Sequence, residues 1–106
     1  MPIVDTTNIA KRELFPGVDA VLIHTDDVTI AHVNLSKGAI VPSHSHVHEQ
    51  IINVIEGNFE MTVGEETKIV TAGFIGIVPS NIPHAVTALS DGKIVDVFHP
   101  VREDLK

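Results

Sequence analysis

His44, His46 and His48 alternate through the segment Pro42-Ser43-His44-Ser45-His46-Val47-His48-Glu49-Gln50, and a further histidine, His84, stands well downstream. In an extended chain alternate side chains share a face, so His44 and His46 can point at one ion, with Gln50 at the same parity. Imidazole nitrogen suits zinc, nickel, copper or ferrous iron, and a neutral amide oxygen can complete such a set. His48 also has that parity and is a possible fifth member unless a bulge intervenes, whereas Glu49 has the opposite parity. The plainer alternative is a polar strand edge facing solvent. His24, His32 and His99 stand alone and read as surface or satisfied core residues, with His32 the one able to line a barrel.

A second group lies in Ile94-Val95-Asp96-Val97-Phe98-His99-Pro100-Val101-Arg102-Glu103-Asp104. Asp96 and Phe98 share one face of a final strand, with Val95 and Val97 on the other. An unpaired carboxylate is costly to bury, so Asp96 should face a polar cavity or pair with a cation. The alternative is a surface salt bridge at the strand end, worth little. Pro100 ends the strand and lets the tail turn back, bringing Arg102 near enough to reach a cavity. The chain has no cysteine, which leaves its chemistry to histidine, carboxylate, amide and arginine side chains.

These residues must be held by strands. Apolar runs rich in Val and Ile recur at short intervals with turn residues between them. The pattern predicts strands over 18–24, 28–35, 50–56, 59–63, 68–70, 74–78, 85–89 and 94–98, and allows one helical turn over Asn8 to Leu14. Many short, evenly spaced strands indicate an antiparallel sandwich or barrel. At 106 residues one domain is expected, since two cores would leave each half too small to stabilise itself. A net charge of -7 argues against nucleic acid or an anionic membrane as partner. No basic start precedes an apolar run at the N-terminus, and no segment approaches about 18 apolar residues. A cytoplasmic protein is expected. So is a symmetric homodimer, because closed dimers are the commonest assembly and the edge strands of a small barrel invite pairing.

The spacing Gly38-x5-His44-x-His46-x3-Gln50-x6-Gly57 resembles the first cupin motif, with Gln50 in the usual Glu position. Gly73-x5-Pro79-x-Asn81-x2-His84 resembles the second, with Asn81 where Gly is common and Ala88 where Asn is common. The resemblance implies an all-β, cupin-type jelly-roll barrel in a single domain over 1–106. Its first motif spans 38–57, its second 73–88, and an active-site tail follows over 94–104. It also implies a divalent metal ion on His44, His46, Gln50 and His84, with nickel, zinc, iron and manganese all open. Three imidazoles and an amide leave the ion's +2 charge uncompensated, which favours Lewis acidity and an anionic ligand.

The tail is similar to that of small cupins that linearise 4,5-unsaturated uronates from pectin and alginate. That likeness implies a small anionic, sugar-derived substrate, with Asp96 and Arg102 in catalytic roles and Arg102 and Phe98 binding substrate. Dioxygenases and lyases of the fold are the rival enzymes. The former usually keep the carboxylate that Gln50 replaces, and the latter lean on a tyrosine, of which this chain has none. A non-catalytic sugar- or metabolite-binding cupin is the third reading. The sensor half of a regulator is disfavoured because 106 residues leave no room for a DNA-binding region.

Overall fold

Alternation of apolar and polar residues is strongest where the chain reads Thr29-Ile30-Ala31-His32-Val33-Asn34-Leu35: Thr29, Ala31, Val33 and Leu35 are buried, while His32 and Asn34 are exposed. The computed structural model describes residues 2–106, and Met1, the start of the N-terminal segment, lies outside them. Its strands are β1 (Arg12–Phe15), β2 (Val18–His24), β3 (Thr29–Leu35), β4 (Ile40–His44), β5 (Glu49–Glu56), β6 (Phe59–Val63), β7 (Glu66–Val70), β8 (Ile75–Val78), β9 (His84–Ala88) and β10 (Gly92–His99). They form a six-stranded sheet ordered β1-β2-β3-β10-β5-β8 and a four-stranded sheet ordered β4-β9-β6-β7. All pairings are antiparallel. The two sheets close face to face as the expected all-β jelly-roll barrel. Among the described residues no helix is long and apolar enough to cross a membrane.

The core between the sheets is built from inward positions of both, with Val18 and Ile52 from one sheet meeting Phe59 and Val86 from the other. Phe59 is wholly buried. Full burial of one such ring contributes about 1.5–3 kcal/mol.

Three expectations are corrected. The helical turn over Asn8 to Leu14 is a 3₁₀ turn at Thr6–Asn8, capped by Asp5 Oδ1 on the Thr7 N–H, and the chain then enters β1. Leu14 and Phe15 pack against the core, and that burial outweighs local helical preference. β4 is absent from the expected strands because its burial does not alternate and it contains Pro42. It is the edge strand of its sheet, where a missing N–H costs little. His32 does not line the barrel; its side chain lies on the outer face of β3.

Gly57 closes the β5–β6 turn with φ 93, in the left-handed region. A Cβ there would lie 2.5 Å from the Asp91 carbonyl oxygen and 2.8 Å from Gly92 Cα, both backbone atoms that cannot swing aside. Gly38 has a similar φ of 88, but a Cβ at that position would meet nothing within 4 Å. Gly38→Ala should therefore cost only the left-handed backbone penalty of about 1–2 kcal/mol. Gly57→Ala should cost clearly more, because the turn must also move. Thermal unfolding of both variants beside the parent checks this, and equal losses would show that the Gly57 close approach is unimportant.

Candidate metal centre and cavity

His44 on β4 and His84 on β9 are direct cross-strand partners, and their ring centroids are 4.3 Å apart. His46 does not share a strand with His44. β4 ends at His44, the chain bends through Ser45 to His48, and β5 begins at Glu49. The alternation argument therefore fails between His44 and Gln50, yet its result survives, because the bend carries the His46 ring to 4.8 Å from that of His84. Gln50, 6% exposed on β5, enters from the other sheet, and its Oε1 is 3.0 Å from His46 Nε2. The second motif secures this bend: the N–H of Asn81 donates to the His46 carbonyl at 2.8 Å. Asn81 itself has φ 66, which explains why glycine is common there and why asparagine is a fitting substitute.

The three imidazoles are oriented in the same way. Nδ1 of His44 lies 2.8 Å from the Pro42 carbonyl oxygen, Nδ1 of His84 lies 2.9 Å from that of Ile82, and Nδ1 of His46 lies 2.9 Å from that of His48. A proton on each Nδ1 satisfies these carbonyls and leaves the lone pair on Nε2, the arrangement metal-binding histidines adopt. The donor set fits an ion. Ligand atoms of His44, His46 and His84 lie within 4.8 Å of one another. His84 Nε2 is buried without a hydrogen-bond partner, and His46 Nε2 and Gln50 Oε1 bring lone pairs together. Burial, followed by the nearby Arg102 charge for His46, pushes the pKa of His46 and His84 down, so both rings are held neutral. His48 stays outside this cluster; its carbonyl orients His46, and its own Nδ1 is buried without a partner.

Beside these rings lies a cavity of about 210 Å³ between the sheets, lined by His44, Gln50, His84, Asp96, Phe98 and Arg102 on its polar side. Its other wall is apolar and includes Leu14, Phe15 and Leu105. Asp96 faces inward from β10, as its alternation with Val95 and Val97 requires, and its Oδ1 is buried without a partner. Burial raises its pKa to about 7, with Gln50 and Arg102 acting in the opposite direction. Arg102 is not its ion-pair partner. The guanidinium binds Asp104 instead, at 3.0 Å from Nε and 2.8 Å from Nη2. It also lies over the Phe98 ring at 4.8 Å.

Sequence reasoning missed the β1 wall, Thr29 and Asp104. Leu14-Phe15 ahead of Pro16-Gly17 was the available signal for β1. Nothing local marked Thr29, whose hydroxyl accepts the Arg102 backbone N–H at 2.8 Å across 73 residues of chain.

A family model described as the cupin domain matches residues 31–98. The pectin degradation protein KdgF of Dickeya dadantii (strain 3937) is 35% identical over 96 residues, covering 88% of this chain and 87% of that protein. Among solved structures, an RmlC-like cupin from Shewanella frigidimarina NCIMB 400 matches with a TM-score of 0.94 and 25% identity, over 100% of this chain and 96% of that one. KdgF from Halomonas sp. matches with a TM-score of 0.88 and 28% identity, over 94% of each chain.

The geometry generates a direct expectation. The purified protein should carry close to one divalent metal ion per chain by elemental analysis, and His44→Ala or His84→Ala should each lose most of it while the strand signal in circular dichroism persists. Full metal content in both variants would mean that these rings do not hold an ion.

Proposed function

The chain belongs to the cupin domain family, and from that premise we propose that it is a metal-dependent enzyme of pectin or alginate breakdown that opens 4,5-unsaturated monouronates to the linear 4-deoxy-5-keto uronate. One observation carries this reading: a cluster of three imidazoles and an amide, with no carboxylate in it, adjoins a cavity that holds both Asp96, whose Oδ1 is buried without a partner, and a cation, Arg102. The similarity to KdgF proteins supports the choice of substrate. An ion on His44, His46, His84 and Gln50, with its charge uncompensated by those ligands, would polarise substrate oxygens.

The remaining work falls to the chain's own residues. Arg102 pairs with the uronate carboxylate, and Phe98, beneath the guanidinium, packs on the sugar ring. The reaction is an isomerisation. The anomeric O1–H loses its proton, a C1=O bond forms, and the C1–O5 bond breaks with its electron pair passing to O5. The enolate so formed becomes the C5 ketone as C4 gains a proton, the one lost from O1 balancing it. Asp96 suits the transfer from O1 towards C4 because its Oδ1 is buried without a partner in the cavity, and its burial pushes the carboxyl pKa up, towards the range of a group that both takes and returns a proton. Leu14, Phe15 and Leu105 limit water around it.

Metal-loaded protein should consume an unsaturated monouronate, read as loss of the enol-ether ultraviolet absorbance. Asp96→Asn should lower kcat by about 10²-fold or more with metal content and melting temperature unchanged. Arg102→Ala should mainly raise KM. Tight binding without turnover by the parent would favour a non-catalytic sugar-binding protein, and neither binding nor turnover would sink the proposal.

The expected homodimer has a specific surface in this reading. On the outer face of the six-stranded sheet, Ile77, Ile51, Val97, Ile30 and Ile23 lie in one register row across β8, β5, β10, β3 and β2. Antiparallel sheets usually turn a polar face to water, yet Ile77 is 65% exposed and neighbouring Ile75 58%. The adjoining row is Ile75, Asn53, Val95, His32 and Val21. Exposure is greatest where β8 and β5 lie side by side, at Ile75, Ile77 and Ile51, and falls away towards β2, where Val21 is buried, so a second copy would seat on the β8–β5 end of the sheet. The two rows carry no carboxylate, so two copies with a net charge of -7 each can meet there without opposing acidic groups. Sedimentation should give twice the chain mass of 11.4 kDa for the parent and a monomer for Ile51→Lys with Ile77→Lys. A monomeric parent, or a variant that still dimerises, would refute this surface.

A further inference from the structure

Resting on the reading of Arg102 as the carboxylate-binding group, we infer that Asp104 is a positioning residue, which holds the guanidinium so that one defined edge is presented to the ligand. The five N–H protons of a guanidinium form two forks able to grip a carboxylate. Asp104 occupies the side-on fork in full, Nε at 3.0 Å from Oδ1 and Nη2 at 2.8 Å from Oδ2. Nη1 has no hydrogen-bond partner among the described residues, which leaves the end-on fork, Nη1 with the second Nη2 proton, for a ligand. Arg102 lines the cavity.

The clamp has three independent fixings. The guanidinium lies over the Phe98 ring at 4.8 Å. Asp104 sets its rotation within its own plane. The backbone beneath it is tied to the barrel, because the Arg102 N–H donates to Thr29 Oγ1 at 2.8 Å, and that hydroxyl lies 2.8 Å from His24 Nδ1. Thr29 is wholly buried. A second tie closes the tail further on, where Arg12 Nη1 donates to the Leu105 carbonyl at 2.9 Å.

A carboxylate beside the ligand's own carboxylate also repels it, so the balance must be weighed. The Asp104 side chain is 57% exposed and the Arg102 side chain 13%. Water and salt therefore screen the repulsion more than they weaken the attraction. A free arginine side chain loses several rotamers on binding, whereas a clamped one has lost them already. Positioning outweighs repulsion, and the effect belongs to ligand capture.

The test uses Asp104→Asn, which keeps the shape but turns an NH₂ group against the guanidinium and breaks the two-bond clamp. With the metal-loaded protein and an unsaturated monouronate, KM should rise at least about tenfold while kcat changes by less than about twofold and the melting temperature stays close to the parent's. An unchanged or lowered KM would overturn the inference, the latter showing that Asp104 competes with the ligand. If the parent turns over no unsaturated uronate, the proposed reaction fails on its own account, and titration with the saturated monouronate galacturonate decides the present point. Weaker binding by Asp104→Asn than by the parent sustains it, while equal affinity, or no binding by the parent, overturns it.

Discussion

Each of three imidazoles commits its Nδ1 to a backbone carbonyl two residues away, and the rest of the site depends on that constraint. A histidine without such a bond can present either nitrogen and rotate about two torsions. Here Pro42, Ile82 and His48 carbonyls orient His44, His84 and His46 through strand ends and a bend rather than through other side chains. The barrel supplies the remaining precision by pairing His44 with His84 across β4 and β9 and by bringing Gln50 from the opposite sheet. Nε2 lone pairs are thereby gathered at one point, and that of His84 is buried, where it is costly to leave without a partner. A cation is the species that satisfies several of them together.

Gln50 and Asp96 divide between them what a single glutamate would have combined. An amide completes the cluster without adding charge, and the carboxyl lies in the adjoining cavity with its Oδ1 buried and unpartnered. Burial that makes an ionised Asp96 unfavourable raises its pKa to about 7, against the opposing effects of Gln50 and Arg102. The apolar wall from β1 is part of the same arrangement, because Leu14 and Phe15 help keep water from stabilising the charged form.

The tail after β10 is more than a trailing end. Arg102 is stacked on Phe98, paired with Asp104 and tied through its backbone to Thr29, while Arg12 reaches over from β1 to the Leu105 carbonyl. β1 and the segment after β10 thus meet along one side of the cavity. A net charge of -7 would repel an anion at long range, and the guanidinium gives the cavity a local cation of the opposite sign.

Much of this was legible in the sequence. Apolar runs set off by turn residues marked β2 and β6 to the residue, since such a run needs no knowledge of its partners. The spacings around His44, His46, Gln50 and His84, and the inward parity of Asp96 and Phe98, nominated the residues that the fold gathers. Strands without such a run were invisible: β1, Arg12–Phe15, gains its conformation from pairing with β2, and β4 is a proline-bearing edge with no alternating burial. The same distinction applies to His46, whose ring joins those of His44 and His84 although parity is interrupted, because the Asn81 to His46 hydrogen bond and the His46 to His48 contact hold the bend. Thr29 under Arg102, and Asp104 rather than Asp96 as its ion-pair partner, were likewise decided by tertiary structure. Local sequence determines which face a side chain takes, because backbone geometry repeats along the chain; which groups meet across the barrel depends on register and closure, which involve residues far apart in sequence.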